Sequence, residues 1–223
     1  MGRIRLILFD LDGTLVDSSR DITNALNHAI APLGLEPLSV EETVRLVGEG
    51  ITRLIEKAAG ATDAETKEEV LRRFLEFYAG HLTEHTRPYP GVPETLERLG
   101  SYRKAVISNK REELSRRLLS ELGLDSHFAH ILGSDSTPEK KPSPLPLLTV
   151  IETEGLTAEN ALMVGDSDLD IEAGRRAGVV TVGAAYGYRP LESLKDADFL
   201  MRESLVELSG IIETIEGRAL KPG

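Results

Sequence analysis

Short apolar runs alternate with stretches of helical spacing along most of the chain. Residues 4–9, 104–108, 130–134, 161–165 and 178–182 are apolar at both alternating positions. That pattern predicts strands buried on both faces, as in a parallel sheet covered by helices. Between them, residues 93–99, 111–122, 145–154 and 169–177 carry the apolar spacing of helices. Alternating strand and helix predicts an α/β fold with a doubly wound, Rossmann-like parallel sheet. One segment breaks the rhythm. From about residue 17 to about residue 87 only helical spacing is found, over 21–33, 40–47, 51–59 and 65–82, with Val70, Phe74, Phe77 and Tyr78 marking one face. The expected division is a core of residues 1–16 and 88–223, and an all-helical insert of residues 17–87. The Pro88-Tyr-Pro-Gly91 turn marks the return to the core. Residues 217–223 are expected to fray.

Composition narrows the function classes. The 223 residues carry a net charge of −11, which argues against nucleic acid as the main partner. A polyanionic substrate would be repelled at long range, so local cations must dominate wherever one binds. There is no cysteine, so disulfides and thiolate metal sites are excluded. The apolar run near the start, residues 6–9, is too short for a signal-peptide core or a membrane span. The expectation is a cytoplasmic protein without a membrane partner, a monomer or homodimer.

Ligands of open parallel sheets bind outside the carboxyl ends of the strands, and polar groups gather at four such places here. Asp10 and Asp12 follow the first strand, and Ser108 and Asn109 the second. Lys140, Lys141 and Pro142 follow the third, and Asp166, Asp168 and Asp170 the fourth. Asp10 and Asp12, two apart in extended chain, point to one face. Their carboxylates repel unless a cation lies between them or one is protonated. With Asp166 as a third acid, a hard divalent cation such as Mg2+, paired with a substrate phosphate, is the economical solution. Asp10 is then placed to attack phosphorus, Asp12 to protonate the leaving oxygen and later activate water, and Lys141 to spread charge. Ser108 would hydrogen-bond a phosphate oxygen. Gly13 would let the chain turn and aim amides at the phosphate, with Thr14 beside it.

Asp10-Leu-Asp-Gly-Thr-Leu15 resembles the first motif of the haloacid dehalogenase superfamily, D-x-D-G-T-L/V. Ser108-Asn109 resembles its second, Lys141-Pro-Ser-Pro144 its third, and Gly165-Asp-Ser-Asp-Leu-Asp170 its fourth. The order and distances agree over nearly the whole chain, and the insert falls where that superfamily carries a helical cap. Val47-Gly-Glu-Gly50, Thr86-Arg-Pro-Tyr-Pro-Gly91 and Tyr186-Gly-Tyr188 resemble the phosphoglycolate phosphatase group within it.

The resemblance implies a Mg2+-dependent phosphomonoester hydrolase acting on a small phosphorylated metabolite such as 2-phosphoglycolate. Catalysis would rest on Asp10, Asp12 and Lys141, and substrate binding on Ser108, Asn109, Gly13 and Thr14. The metal would be held by the Asp10 side chain, the Asp12 carbonyl and Asp166, with Asp170 behind or reaching it through water. A β-phosphoglucomutase-like phosphotransferase or a pyrophosphatase on the same core are the alternatives. A non-enzymatic phosphate-sensing scaffold should have lost Asp10, Asp12 or Lys141, and all three are present.

Blander readings stand beside these. Asp10 and Asp12 suit a turn, and Ser167 and Asp168 a helix start. Asn109 and Glu112 have capping-box spacing, and Lys140 reads as a surface residue. Arg53 and Glu49 are candidates to reach a substrate, or an ordinary exposed pair.

Overall fold

The computed structural model describes residues 3–60 and 62–219. Its centre is a six-stranded parallel sheet built from β1 (Leu6–Phe9), β4 (Arg103–Ile107), β5 (His130–Leu132), β6 (Ala161–Gly165), β7 (Val180–Ala184) and β8 (Phe199–Met201). The order across the sheet is β5-β4-β1-β6-β7-β8. Alternation within β1 splits the core into two layers. Leu6 and Leu8 pack with Leu147, Val150 and Ile151 of α7 (Leu145–Thr153) and Ala173 of α8 (Asp168–Ala177). Ile7 and Phe9 pack in the opposite layer with Leu96 of α5 (Val92–Arg98), Leu118 of α6 (Glu112–Glu121) and Leu208 and Ile212 of α9 (Leu208–Ala219). Full burial on both faces is why these strands read as continuous apolar runs.

The chain leaves β1 towards β4 on one side and leaves β6 towards β7 on the other. Connections that diverge from neighbouring strands open a crevice at their carboxyl ends, here below Asp10 and Asp166.

Four helices are inserted after β1: α1 (Ser19–Ile30), α2 (Val40–Leu46), α3 (Ile51–Ala59) and α4 (Ala64–Gly80). Ser39 opens α2 with a capping box to Glu42, and the Asp63 carboxylate accepts the Thr66 amide at the head of α4. The insert has its own core of Leu26, Ile55, Val70, Phe74 and Tyr78, which Leu114 of α6 joins from below. Two short antiparallel strands, β2 (Val16–Asp17) and β3 (Arg87–Pro88), carry the chain out and back.

Three differences from the expected elements have local causes. The strand expected over 178–182 begins at Val180, because Gly178 is the left-handed C-cap of α8, with φ of 75°. The capping box expected between Asn109 and Glu112 does not form. Helix α6 starts at Glu112, whose amide donates to Asp135 at 2.8 Å, while its carboxylate accepts from Arg116 and Ser136. The edge strand β8 and helix α9 were not anticipated. Residues 217–219, expected to fray, belong to α9, and 220–223 lie outside the described residues. No helix among the described residues is long and apolar enough to cross a membrane.

The return from the insert hangs on one buried carboxylate. Asp21 of α1 is 1% exposed and accepts the amides of His85 and Thr86 and the Thr86 hydroxyl. Asp21→Ala leaves those donors without a partner, and we expect a loss of about 2–3 kcal/mol in unfolding free energy, read from urea denaturation. A loss below about 0.5 kcal/mol would show that this junction holds without it.

Candidate active site

Each strand bordering the crevice delivers one acid. Asp10 continues β1, its amide bonded to the Val164 carbonyl at 2.9 Å, and Asp166 follows β6 directly. Asp170 lies in the first turn of α8, where one oxygen accepts the Ser167 amide and hydroxyl and the other accepts Lys141 at 2.6 Å. Carboxylate oxygens of Asp10, Asp166 and Asp170 all lie within 4.8 Å of one another. Lys141 is 3% exposed and also donates to Asp10 at 2.7 Å. Gly13, at φ of 91°, turns the chain so closely over Asp166 that a Cβ there would stand 2.4 Å from its carboxylate oxygen.

Three buried acids against one lysine leave a charge imbalance. Burial, aided by Asp170 and Asp12, pushes Asp10 up to about 7 against the pull of Lys141. Burial and the charges of Asp10 and Asp170 raise Asp166 well above the usual carboxylate range. Burial works against the Lys141 ammonium too, but Asp10 and Asp170 outweigh it and hold the lysine above its ordinary value. An all-oxygen donor set short of one or two positive charges suits a hard divalent cation.

Asp12 stands apart from this trio. Its carboxylate accepts the Ser18 hydroxyl at 2.5 Å and pairs with Lys110 at 2.9 Å. The two side chains thus each have their own lysine, Lys141 on Asp10 and Lys110 on Asp12. Both acids still line a single cavity between sheet and insert, with Ser108, Asn109, Lys110, Lys141, Asp166 and Asp170 on the sheet side. The roof, from the insert, is apolar: Ile22, Val47, Ile51, Leu54 and Phe74.

The residue profile of haloacid dehalogenase-like hydrolases matches residues 7–184. The chain belongs to that family. A phosphoglycolate phosphatase of Aquifex aeolicus is 45% identical over 192 residues, which cover 85% of this chain and 89% of the relative. One from Chromobacterium violaceum is 40% identical over 220 residues, 96% and 98% of the two chains. The crystal structure of a predicted phosphoglycolate phosphatase from Haemophilus somnus superposes with a TM-score of 0.89 at 32% identity, covering 95% of this chain and 99% of that one. Within the hydrolase family the chain thus groups with the phosphatases.

Not every expected residue of this hydrolase meets the cavity. Ser108 does: its oxygen accepts the Lys110 amide at 3.1 Å, and its own hydrogen has no protein acceptor among the described residues. Asn109 lines the wall, but both amide hydrogens are engaged, to the carbonyls of Gly48 at 2.9 Å and Lys141 at 3.0 Å. It positions backbone instead of offering donors to a phosphate. Gly13 and Thr14 do not line the cavity. The Gly13 amide, expected to face a phosphate, donates to the Val16 carbonyl, and Thr14 is fully buried with its carbonyl accepting Tyr186. Arg53 is exposed and pairs with Glu56 and Glu49 away from the site.

Among the polar wall residues, Lys110, Arg111, Tyr188, Arg189 and Tyr78 were given no role in advance. Lys110 follows Ser108 and Asn109 directly, so its place after a strand end was the available signal. Tyr188 and Arg189 sit in the loop after β7, at another such strand end; the Tyr188 amide holds Asp166 at 2.7 Å. Tyr78 was read only as insert core.

The roof is fastened to the sheet by backbone carbonyls. Arg189 donates to the carbonyls of Arg45, at 3.0 Å, and Val47; Asn109 to that of Gly48; and Lys140 to that of Glu49, at 2.7 Å. Lys140, expected at the surface, is half-buried for this reason. Gly50 lies at φ of 85°, and a Cβ there would stand 3.0 Å from the Asn109 carbonyl and 3.1 Å from the Lys140 ammonium, so backbone and approach both favour glycine. Removing one clasp should loosen the loop alone. In Arg189→Ala, amide hydrogen exchange over residues 46–54 is expected to quicken about tenfold while β1 and β6 keep their protection. Unchanged exchange in the loop would show that the carbonyl contacts do not hold it.

Proposed function

We propose that this chain is a Mg2+-dependent phosphomonoester hydrolase for a small phosphorylated metabolite, with 2-phosphoglycolate the best-supported substrate, and that it works through an aspartyl-phosphate on Asp10. The observation that carries this is the division of two carboxylates between two lysines inside one cavity. Asp10 sits on Lys141 among the acid trio, and Asp12 faces the same space on Lys110. Two acids in different surroundings suit two roles.

Asp10 attacks phosphorus through its free carboxylate oxygen, and the bond to the leaving oxygen breaks. Asp12 in its protonated form passes a proton to that oxygen, so the product leaves with a hydroxyl and not as an alkoxide. Water then attacks the phosphorus of the aspartyl-phosphate, Asp12 takes its proton, and inorganic phosphate and free Asp10 result. Lys141 fixes Asp10 in place, and the Ser108 hydroxyl is free to donate to a phosphoryl oxygen. Asp10, Asp166 and the Asp12 carbonyl would hold the metal, with Asp170 behind them on Lys141. When bound, Mg2+ withdraws charge from the phosphoryl oxygens. The helical insert acts as a cap: its apolar roof excludes water and leaves room for little beyond a small organic group. Relatives named phosphoglycolate phosphatase support the choice of substrate. In this reading the enzyme works in the cytoplasm, as a monomer or homodimer.

Two measurements test the reading. Phosphate release from 2-phosphoglycolate should require Mg2+, and Asp10→Asn should lower kcat by at least about a thousandfold. Activity near wild type in that variant would remove Asp10 from the chemistry. Metal binding must also displace the proton that burial keeps on Asp10 below about pH 7. The raised acid binds this proton more tightly than an exposed aspartate, so the proton opposes Mg2+ throughout the range below 7. Mg2+ affinity, measured by calorimetry, should rise with pH from 5 through 7, by about tenfold or more per pH unit while the buried acids still hold protons. A flat profile would separate the metal from Asp10.

A further inference from the structure

Where the apolar roof of the cavity meets its sheet side stands one polar pair, Tyr78 of the insert and Lys110 after β4. The Lys110 side chain is 7% exposed and Tyr78 is 1% exposed. The ammonium donates to Asp12 at 2.9 Å and to the Tyr78 hydroxyl at 2.8 Å, and lies 4.7 Å from the centre of the phenol ring.

The donor count leaves a surplus. An ammonium has three hydrogens, and two are engaged. The tyrosine oxygen accepts from Lys110, so its own hydrogen points elsewhere and meets no acceptor among the described residues. Burial, with Lys110 pulling the other way, pushes that phenol up to about 12, so it remains a donor. Two unengaged donors, one of them cationic, thus belong to residues that line the cavity. Leaving buried donors without acceptors is costly, so the pair is poised for an anionic or strongly accepting group.

Its position tells which part of a substrate it meets. In the reading above, phosphorus lies against Asp10 and Asp12 touches the leaving oxygen. Lys110 links Asp12 to Tyr78 of the insert, which places the pair next to the acid assigned to the leaving oxygen. The other cations of the wall are committed or remote: Lys141 to two acids, Arg189 to backbone carbonyls, and Arg111 exposed at the start of α6.

We propose that Lys110 and Tyr78 form a subsite for a carboxylate on the leaving group, and so select phosphorylated hydroxy acids over phosphate esters of neutral alcohols. This rests on the reading that the phosphoryl group sits at Asp10. The subsite joins residues from both parts of the molecule: Lys110 from the loop after β4 and Tyr78 from α4. A carboxylate there would bridge sheet and insert.

Binding separates this proposal from the hydrolase reading. The probes are 2-phosphoglycolate and ethyl phosphate, which share a two-carbon skeleton and differ in the carboxylate. Dissociation constants are measured by calorimetry with Mg2+ present, in Asp10→Asn protein to limit turnover. The Asp10→Asn parent should bind 2-phosphoglycolate at least about tenfold more tightly than ethyl phosphate, the range of a hydrogen bond to a charged group. Adding Tyr78→Phe, which keeps the ring and its packing, should cut that ratio to about threefold, and adding Lys110→Met should bring it near one. A ratio near one in the parent, or an unchanged ratio in Tyr78→Phe and Lys110→Met, would overturn the subsite. Wild-type phosphate release bears on the hydrolase reading alone. Should Lys110→Met fail to fold, the parent ratio and Tyr78→Phe still decide.

Discussion

Four aspartates stand around one cavity with only two lysines in direct contact, and the rest of the site follows from how that charge is shared. Asp10, Asp166 and Asp170 crowd within 4.8 Å, and Lys141 touches two of them. Asp166 is steadied by the Tyr188 amide and Asp170 by Ser167, neutral donors that soften repulsion without cancelling it. Such a cluster in low dielectric is unfavourable unless protons or a cation complete it. The same arrangement that costs stability concentrates negative charge where a metal and a phosphoryl group can meet. The sheet makes this tolerable, because diverging connections at β1 and β6 leave the acids at the mouth of a crevice, with apolar layers beneath.

The second lysine does something different. Lys110 neutralises Asp12 and reaches across to Tyr78, so one side chain ties the reacting side of the cavity to the helical insert. The clasp from Arg189, Asn109 and Lys140 adds a second tie through backbone carbonyls. Carbonyl contacts depend on backbone placement and not on the side chains of α2, so the insert can vary in sequence while its loop stays docked. The glycines at 48 and 50 are what that docking asks of the sequence: a Cβ on Gly48 would stand 3.1 Å from the Arg189 guanidinium.

The sheet and the acids were legible before the structure for a shared reason. Strands such as β1 and β6 are buried on both faces, so their apolar runs end abruptly at the first polar residue, and that residue belongs to the acid cluster. Edge elements lack this contrast. β8 has three residues, two of them half-buried, beside a polar loop, and its pairing with β7 depends on tertiary context. The side chains at the second strand end were misassigned because spacing does not fix direction. Asn109 and Glu112 have the right separation for a capping box, but Asn109 is turned to the roof loop and Glu112 to Ser136 and Arg116. Lys110 was overlooked for the same reason: a lysine after a strand end reads as solvated until a tyrosine from a distant helix is placed against it.

Tyr78 shows how such a residue hides. Val70, Phe74 and Tyr78 recur at four-residue spacing on α4 and pack as one stripe in the insert core. The periodicity that identifies the helix accounts equally well for an aromatic ring at position 78. Packing there needs the ring alone, and phenylalanine would supply it. A fully buried hydroxyl carries a desolvation cost that packing does not return. One hydrogen bond from Lys110 offsets part of it, and the hydroxyl's own proton is still unmatched. The hydroxyl is therefore the part of α4 that the fold does not explain, and it sits where sheet and insert meet across the cavity.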